Sequence, residues 1–88
     1  MNSYESEFQG KGCLVTGGAG FIGSNLSRHL ANLGAKVLVI DDFSTGKLTN
    51  TLDFRKLGIT LIESDISNQE ITKKFFSGID FVFHQAAI

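Results

Sequence analysis

The amino-acid sequence predicts an α/β fold, a parallel sheet whose strands alternate with helices. Three observations support this prediction. Short apolar runs recur along the chain, a helical periodicity separates the first two of them, and glycines mark the intervening turns. Because parallel strands joined through helices need right-handed crossovers, we expect the strand order 3-2-1-4 in a partial sheet of about four strands.

The chain is organised around the stretch from Gly12 to Leu26, GCLVTGGAGFIGSNL. An apolar run meets four glycines and passes directly into helical periodicity, which predicts a strand, a tight turn and a helix start. Glycine permits positive φ in such a turn and lets a pyrophosphate approach the backbone. The glycines fit two dinucleotide-binding patterns, Gly18-x-Gly20-x-x-Gly23 and Gly17-x-x-Gly20-x-x-Gly23. This is the fingerprint of a Rossmann-type sheet, although a purely structural glycine turn stays open.

The remaining elements follow from periodicity and turn residues. Ile22, Leu26, Leu30 and Leu33 are predicted to form one apolar stripe that packs on the sheet, with Gly34 as a left-handed helix cap. Residues 49–57 are ambiguous between a loose helix and irregular structure. The predicted strands are 13–16, 37–40, 59–63 and 79–84; the predicted helices are 21–33 and a second one that starts with a capping box at Ser67 and ends at Ser77-Gly78.

Asp41 ends the second strand, eighteen residues after Gly23, where an acidic residue can accept the hydroxyls of an adenosine ribose. This carboxylate would repel a 2′-phosphate, and Lys47 is the only cation in the next ten residues, so we favour NAD over NADP. A nucleotide-triphosphate loop is excluded because Ser24 stands where that loop needs its lysine. A solvated acidic turn at Asp41 and Asp42 is the alternative interpretation.

The composition indicates one small globular domain. Of 88 residues 42% are hydrophobic and 19% charged, and the net charge of −1 provides no footprint for nucleic acid or an anionic membrane. Residues 1–10 are expected to be a flexible tail without signal-peptide character, and residues 11–88 the folded part. Cys13, the single cysteine, is expected to be a buried thiol in a reducing, cytoplasmic compartment. Two distant histidines offer no metal site.

Four stretches resemble the extended short-chain dehydrogenase/reductase family, and within it the nucleotide-sugar epimerases and dehydratases. They are TGGAGFIGSNL, DDFSTGK, the SDI triplet at residues 64–66, and FVFHQAA at residues 81–87. The resemblance runs from Lys11 to the end of the chain and corresponds to about the first third of such an enzyme. It implies NAD as cofactor, and a nucleotide-sugar substrate that only a full-length parent protein would bind.

The resemblance also implies roles for individual residues. Those after Asp41 wrap the adenosine, Asp65 and Ile66 contact the adenine, and two alanines pass beneath the middle of the cofactor, although Asp65 could instead compete for the neighbouring helix cap. Together with the glycine turn, the candidate cofactor-binding residues are Gly17, Gly20, Phe21, Ile22, Gly23, Asp41, Asp42, Phe43, Ser44, Thr45, Gly46, Lys47, Asp65, Ile66, Ala86 and Ala87.

In the resembling enzymes NAD accepts a hydride while a tyrosine, with a lysine four residues later, removes a proton. The only tyrosine here is Tyr4, and Phe8 stands where that lysine would be. We therefore expect no catalytic residue in this chain and no turnover by the chain alone. A stand-alone dinucleotide-binding module and a truncated fragment without independent activity are the alternatives. The fourth strand, left at an open sheet edge, is expected to mediate self-association.

Overall fold

The computed structural model describes residues 7–44, 46–65 and 78–85. It contains a four-stranded parallel sheet in the order β3-β2-β1-β4, which confirms the predicted topology. The strands are β1 (Gly12–Thr16), β2 (Lys36–Asp41), β3 (Thr60–Glu63) and β4 (Phe81–His84), with the helix α1 (Phe21–Asn32) and a short 3-10 helix (Leu48–Thr51) between them. The second predicted helix lies outside the described residues.

Strand register brings the carboxyl ends of the strands to one edge of the sheet. Thr16 of β1 lies opposite Ile40 of β2 and His84 of β4, and Asp41 lies opposite Glu63 of β3. The described residues that follow β1, β2 and β3 therefore leave the sheet at this same edge. In open α/β sheets this edge is where ligands bind.

The core lies between α1 and one face of the sheet. Val15, Val39 and the helix residue Leu30 are almost fully buried there. Leu14, Leu38 and Ile40 form a second buried cluster on the opposite face, as the period of two along a strand requires. Cys13 is buried, as expected, and this burial, with a smaller contribution from Asp80, raises the pKa of its thiol.

Helix α1 ends in a Schellman motif at Gly34, whose φ of +88° confirms the predicted left-handed cap. The N–H of Ala35 donates to the C=O of Leu30, and the N–H of Gly34 donates to the C=O of Ala31. These bonds satisfy carbonyls that the helix end would otherwise leave unpaired.

The predicted apolar stripe on α1 is wrong at its first position. Ile22 is 70% exposed, whereas the buried positions in this part of the helix are small residues, Gly23, Ser24 and Ser27. The start of the helix lies so close to the turn and to β2 that only small side chains fit between them. Leu30, about two turns after Ile22, occupies the place where the separation admits a large side chain.

Residues 48–58 are irregular apart from the 3-10 turn, which resolves the ambiguity in the sequence pattern. Phe54 is only 2% exposed and packs into the core beside Ile59, while Leu48 and Leu52 point to solvent. Phe54 thus holds this segment against α1 and β2. The Arg28 guanidinium lies 5.7 Å from the centre of its ring.

Strand β4 pairs with β1 and, within the described residues, has no neighbour on its other side. Phe81 and Val82 are 36% and 41% exposed. Phe8, from the segment expected to be a flexible tail, packs its ring 5.1 Å from that of Phe81. Residues 7–10 also form a turn, tied by a hydrogen bond from the N–H of Gly10 to the C=O of Gly34. The tail boundary at residue 10 stays a prediction.

Candidate functional site

The glycine turn joins β1 to α1 at the carboxyl edge of the sheet. Gly17 has a φ of +73°, and its N–H donates to the C=O of Ile40 at 2.8 Å. Because L side chains rarely adopt this backbone conformation, glycine is required here by the turn itself.

Two further glycines are required by close packing. A Cβ at Gly18 would lie 2.5 Å from a methyl group of Val39, and one at Gly23 would lie 2.5 Å from the C=O oxygen of Gly17. Both distances are far below a van der Waals contact. These glycines therefore let the helix approach the turn and the sheet, which is the role of the last glycine in dinucleotide-binding turns.

Gly20 differs from its neighbours because the protein itself does not require it. Its φ is −72°, which any residue can adopt, and a Cβ there would meet only the Gly17 oxygen at an ordinary 3.6 Å. The space beside Gly20 is open. Gly20 is the N-cap residue of α1, and neither its backbone conformation nor its packing requires glycine. A glycine at such a position fits a site where a ligand approaches the backbone.

The N-terminus of α1 supplies hydrogen-bond donors beside Gly20. The first intrahelical bond runs from the N–H of Ser24 to the C=O of Gly20, so the N–H groups of Phe21, Ile22 and Gly23 precede the helical ladder. No side chain caps this end, and no acidic residue lies in the first turn. With the helix dipole, the site carries roughly half a positive charge, which suits an anion such as a pyrophosphate.

Asp41, the last residue of β2, is only 7% exposed, and the structure uses both of its oxygens. Oδ2 accepts the N–H of Ala19 at 2.8 Å, and Oδ1 accepts the N–H of Phe43 at 2.7 Å. Contrary to the alternative interpretation, Asp41 is therefore not solvated, although its Oδ1 does close a local turn with Phe43. A carboxylate has about four acceptor positions, so two remain for the hydroxyls of a ribose.

The loop after Asp41 is held in one conformation by side-chain acceptors. Asp42 Oδ1 accepts the N–H of Ser44 at 2.9 Å, and this hydrogen bond is the main cause of the lowered pKa of the Asp42 carboxyl. Between them Phe43 has a φ of +61°, an unfavourable conformation for a bulky residue. Such backbone strain persists where the surrounding structure imposes it, and it is commonest at ligand sites.

The same loop packs directly on the glycine turn. A Cβ at Gly46 would lie 2.7 Å from the Cβ of Ala19 and 3.1 Å from Asp41 Oδ2, so glycine is required there by contact. The N–H of Lys47 donates to the C=O of Ala19 at 3.1 Å, and the Lys47 side chain is exposed. The turn and the acidic loop are thus one continuous surface.

The remaining candidates lie further along this edge. Asp65 follows β3 and is exposed, and the N–H of its neighbour Ser64 donates to the C=O of Asp41. On the other side of β1, at the end of β4, His84 Nδ1 lies 3.0 Å from the buried Thr16 hydroxyl. Thr45, Ile66, Ala86 and Ala87 lie outside the described residues.

Sequence reasoning missed two residues of this region, Ala19 and Asn50. Ala19 is fully buried, and its C=O accepts the Asn50 side-chain amide at 2.9 Å. Nothing in the sequence pattern marks this contact, because Asn50 is thirty-one residues away in a segment without periodicity. Only the packing of the loop on the turn brings the two together.

Within the described residues, no group of three His, Cys, Asp or Glu side chains is placed to hold a metal ion. No helix in that part of the chain is long and apolar enough to cross a membrane. The site combines backbone donors at a helix start, a buried carboxylate beside them, and open space at Gly20. These features fit the pyrophosphate and ribose of a dinucleotide.

Comparison with known proteins agrees with this geometry. The chain is 38% identical over 78 residues to a UDP-N-acetyl-alpha-D-glucosaminuronate decarboxylase of Bacillus cytotoxicus, covering 89% of this chain and 24% of that protein. The epimerase Mth375 of Methanothermobacter thermautotrophicus superposes with a TM-score of 0.84 at 38% identity, over 96% of this chain and 25% of that one.

The UDP-glucose 4-epimerase of Thermus thermophilus, solved in complex with NAD, superposes with a TM-score of 0.71 at 37% identity, over 88% of this chain and 24% of that one. The chain thus spans about a quarter of the length of the relatives it matches. The family profile described as the NAD dependent epimerase/dehydratase family matches residues 13–88. The chain belongs to this family, whose cofactor is NAD.

Proposed function

We propose that these 88 residues form the NAD-binding portion of a nucleotide-sugar epimerase or dehydratase. The observation that carries the proposal is Gly20. Three glycines around it are required by the fold, whereas Gly20 faces open space beside the unpaired N–H groups of α1. A ligand that approaches the backbone at this point accounts for a glycine that the protein alone does not need.

In this proposal two adjoining parts of the cofactor, the pyrophosphate and the adenosine ribose, bind to two neighbouring segments. The pyrophosphate accepts hydrogen bonds from the start of α1, and the adenosine ribose donates to Asp41. The other proposed contacts are those expected from the sequence, including Asp65 beside the adenine. Because the Asp41 carboxylate is buried and already bonded in place, a 2′-phosphate would meet a fixed negative charge, which favours NAD over NADP.

Bound NAD supplies a hydride acceptor, and this chain supplies its binding and orientation. The sequence holds no Tyr-x-x-x-Lys pair, so we expect the purified chain to bind NAD without turning over a nucleotide sugar. A decarboxylase and epimerases share this portion of the family domain. The choice of sugar and of reaction therefore rests on residues other than these. We place the protein in the cytoplasm, in keeping with its single buried thiol.

Calorimetric titration with NAD and NADP tests the proposal. The chain is expected to bind NAD more tightly than NADP, and Gly20→Val is expected to abolish both while the circular dichroism spectrum is preserved. Gly20→Ala, which adds a single methyl group, provides a graded comparison. Undiminished NAD binding by Gly20→Val would mean that the turn is only structural.

A further inference from the structure

The peptide groups of Ala19 join the glycine turn to the acidic loop. The Ala19 N–H donates to Asp41 Oδ2, and the Ala19 C=O accepts both the Lys47 N–H and the Asn50 side-chain amide, at 3.1 and 2.9 Å. Ala19 is 0% exposed; its bond to Asp41 is buried and the one from Asn50 is partly buried. We call these four residues, Ala19, Asp41, Lys47 and Asn50, the clasp.

Asn50 is itself held in place from the helix side. Its C=O accepts a hydrogen bond from Arg28 Nη2, while Arg28 Nε lies 2.8 Å from Asp53 Oδ2 and 3.0 Å from Oδ1. Arg28 Nη1 donates to Asn25 Oδ1 at 3.2 Å, so the guanidinium spans helix α1 and the segment after the 3-10 helix. The Asn50 backbone is therefore anchored to the helix whose N-terminus carries the candidate pyrophosphate donors.

We propose that Asn50 is a positioning residue that fixes the distance between the pyrophosphate turn and the ribose-binding acid. The inference rests on the proposed function and deepens it. One dinucleotide must engage the donors of α1 and the Asp41 carboxylate at once, and a rigid spacing between two subsites spares the ordering cost of bringing them together on binding. The Asn50 amide points into the clasp at the Ala19 carbonyl, so it acts through Ala19.

The clasp allows this positioning role to be separated from stability. When Asn50 loses its amide, the Ala19 C=O keeps its hydrogen bond from the Lys47 N–H, so no buried acceptor is left unpaired. The fold should therefore persist while the turn and the loop gain freedom relative to each other. Ligands that touch only the loop should be affected little, and ligands that span both segments should be affected strongly.

The experiment compares adenosine, which reaches only the loop, with ADP-ribose, which adds the pyrophosphate at the turn. Dissociation constants are measured by calorimetry for the wild-type chain, Asn50→Ala and the isosteric Asn50→Asp, which keeps the shape but replaces the donor with an acceptor. We expect ADP-ribose affinity to fall by about tenfold in both variants while adenosine affinity changes by less than about threefold. Arg28→Ala, which removes the anchor of the Asn50 backbone, should act in the same direction.

Asn32→Ala is the matched control, because Asn32 is an exposed asparagine at the far end of α1. Its ratio of ADP-ribose to adenosine affinity should equal that of the wild type. An unchanged ratio in both Asn50 variants, or an equal loss for the two ligands, would overturn the positioning role while leaving the binding function intact. If the wild-type chain binds neither ADP-ribose nor NAD, the proposed function fails, and this inference fails with it.

Discussion

The two sides of β1 present opposite surfaces. Towards β2, polar contacts join the loops at the carboxyl end of the sheet: Ala19 bonds both to Asp41 and to Asn50, and the space beside Gly20 is open. Towards β4, the described part of the sheet ends in a strand that pairs with β1 along one edge only and exposes Phe81 and Val82. The first surface fits a small polar ligand, and the second fits another strand.

This difference shows that one strand order produces two kinds of surface, a region of fixed polar contacts and an open strand edge. On the β2 side, which holds the clasp, the geometry is fixed because backbone groups are bonded to side chains from distant segments. Donors and acceptors in fixed positions favour specific binding. The β4 side offers repeating backbone groups and apolar side chains, which pair with any compatible strand. The predictions below test each side separately.

The largest expected effect is the loss of NAD binding on substitution of Gly20, on the β2 side of the sheet. Gly20→Val should reduce NAD binding below detection, because its side chain would occupy the space where the pyrophosphate approaches the backbone. The unfolding midpoint should stay close to that of the wild type, since a Cβ there makes only an ordinary contact. Calorimetry and thermal unfolding on the same samples check both halves of the prediction.

Gly23→Ala, in contrast to Gly20→Val, should mainly lower the stability of the fold. The new Cβ would lie 2.5 Å from the Gly17 oxygen and 2.9 Å from the Gly18 Cα, and both atoms belong to the backbone. We expect the free energy of unfolding to fall by about 1 to 3 kcal/mol, as for other overpacked sites. Urea titration measures this loss, and an unchanged midpoint would contradict the close approach of helix and turn.

Asp41→Ala should weaken NAD binding by about 1 to 3 kcal/mol and NADP binding by much less, because the ribose loses a charged acceptor while the 2′-phosphate loses a repulsive neighbour. The variant should also lose stability, since the buried Ala19 N–H is left without its partner. Titrations with both cofactors at a temperature where the variant is folded separate the two effects. Equal weakening of NAD and NADP would refute the ribose role.

At the other side of the sheet, we propose that copies of this chain associate through the edge of β4 that faces away from β1. Two copies can pair their β4 strands antiparallel about a two-fold axis, which would cover Phe81 and Val82. Val82→Lys should therefore shift the chain towards monomer in sedimentation velocity. Leu52→Lys is the matched control, because Leu52 is an exposed leucine outside the sheet. A wild-type chain that is monomeric at high concentration, or an equal effect of both lysines, would refute pairing at β4.

The smallest effect concerns pH and the anchor of Asn50. The hydrogen bond from Arg28 holds the pKa of Asp53 below its usual 3.8, so the ionised form is favoured in the folded state. Its stabilising contribution is present above that pH and is lost as the pH falls through the lower folded value. In Asp53→Asn the unfolding midpoint should therefore fall less steeply than in the wild type as the pH drops below about 4. The difference should be small, because the pair is partly exposed.

The fold was largely predictable because its main determinants are local. The glycine turn, the apolar runs of β1 and β2, and the Gly34 cap each specify their own conformation, and crossover handedness then gives the strand order. Element ends differ by one or two residues; β4, for example, begins at Phe81 where a start at residue 79 was predicted. The burial of Ile22 was mispredicted because helical periodicity does not report how closely a helix start approaches the turn.

By itself, the sequence determined the class of fold through the spacing of its apolar runs and glycines, and the family through the stretches that resemble it. The candidate dinucleotide-binding residues came partly from that resemblance and stay predictions. Only the tertiary structure decided that the turn conformation and the packing require Gly17, Gly18 and Gly23 but not Gly20. It also decided that Asp41 is bonded to Ala19, and that Asn50 closes the contact from thirty-one residues away. The physical reason is that hydrogen bonds and steric fit between distant segments depend on distances that no local pattern encodes.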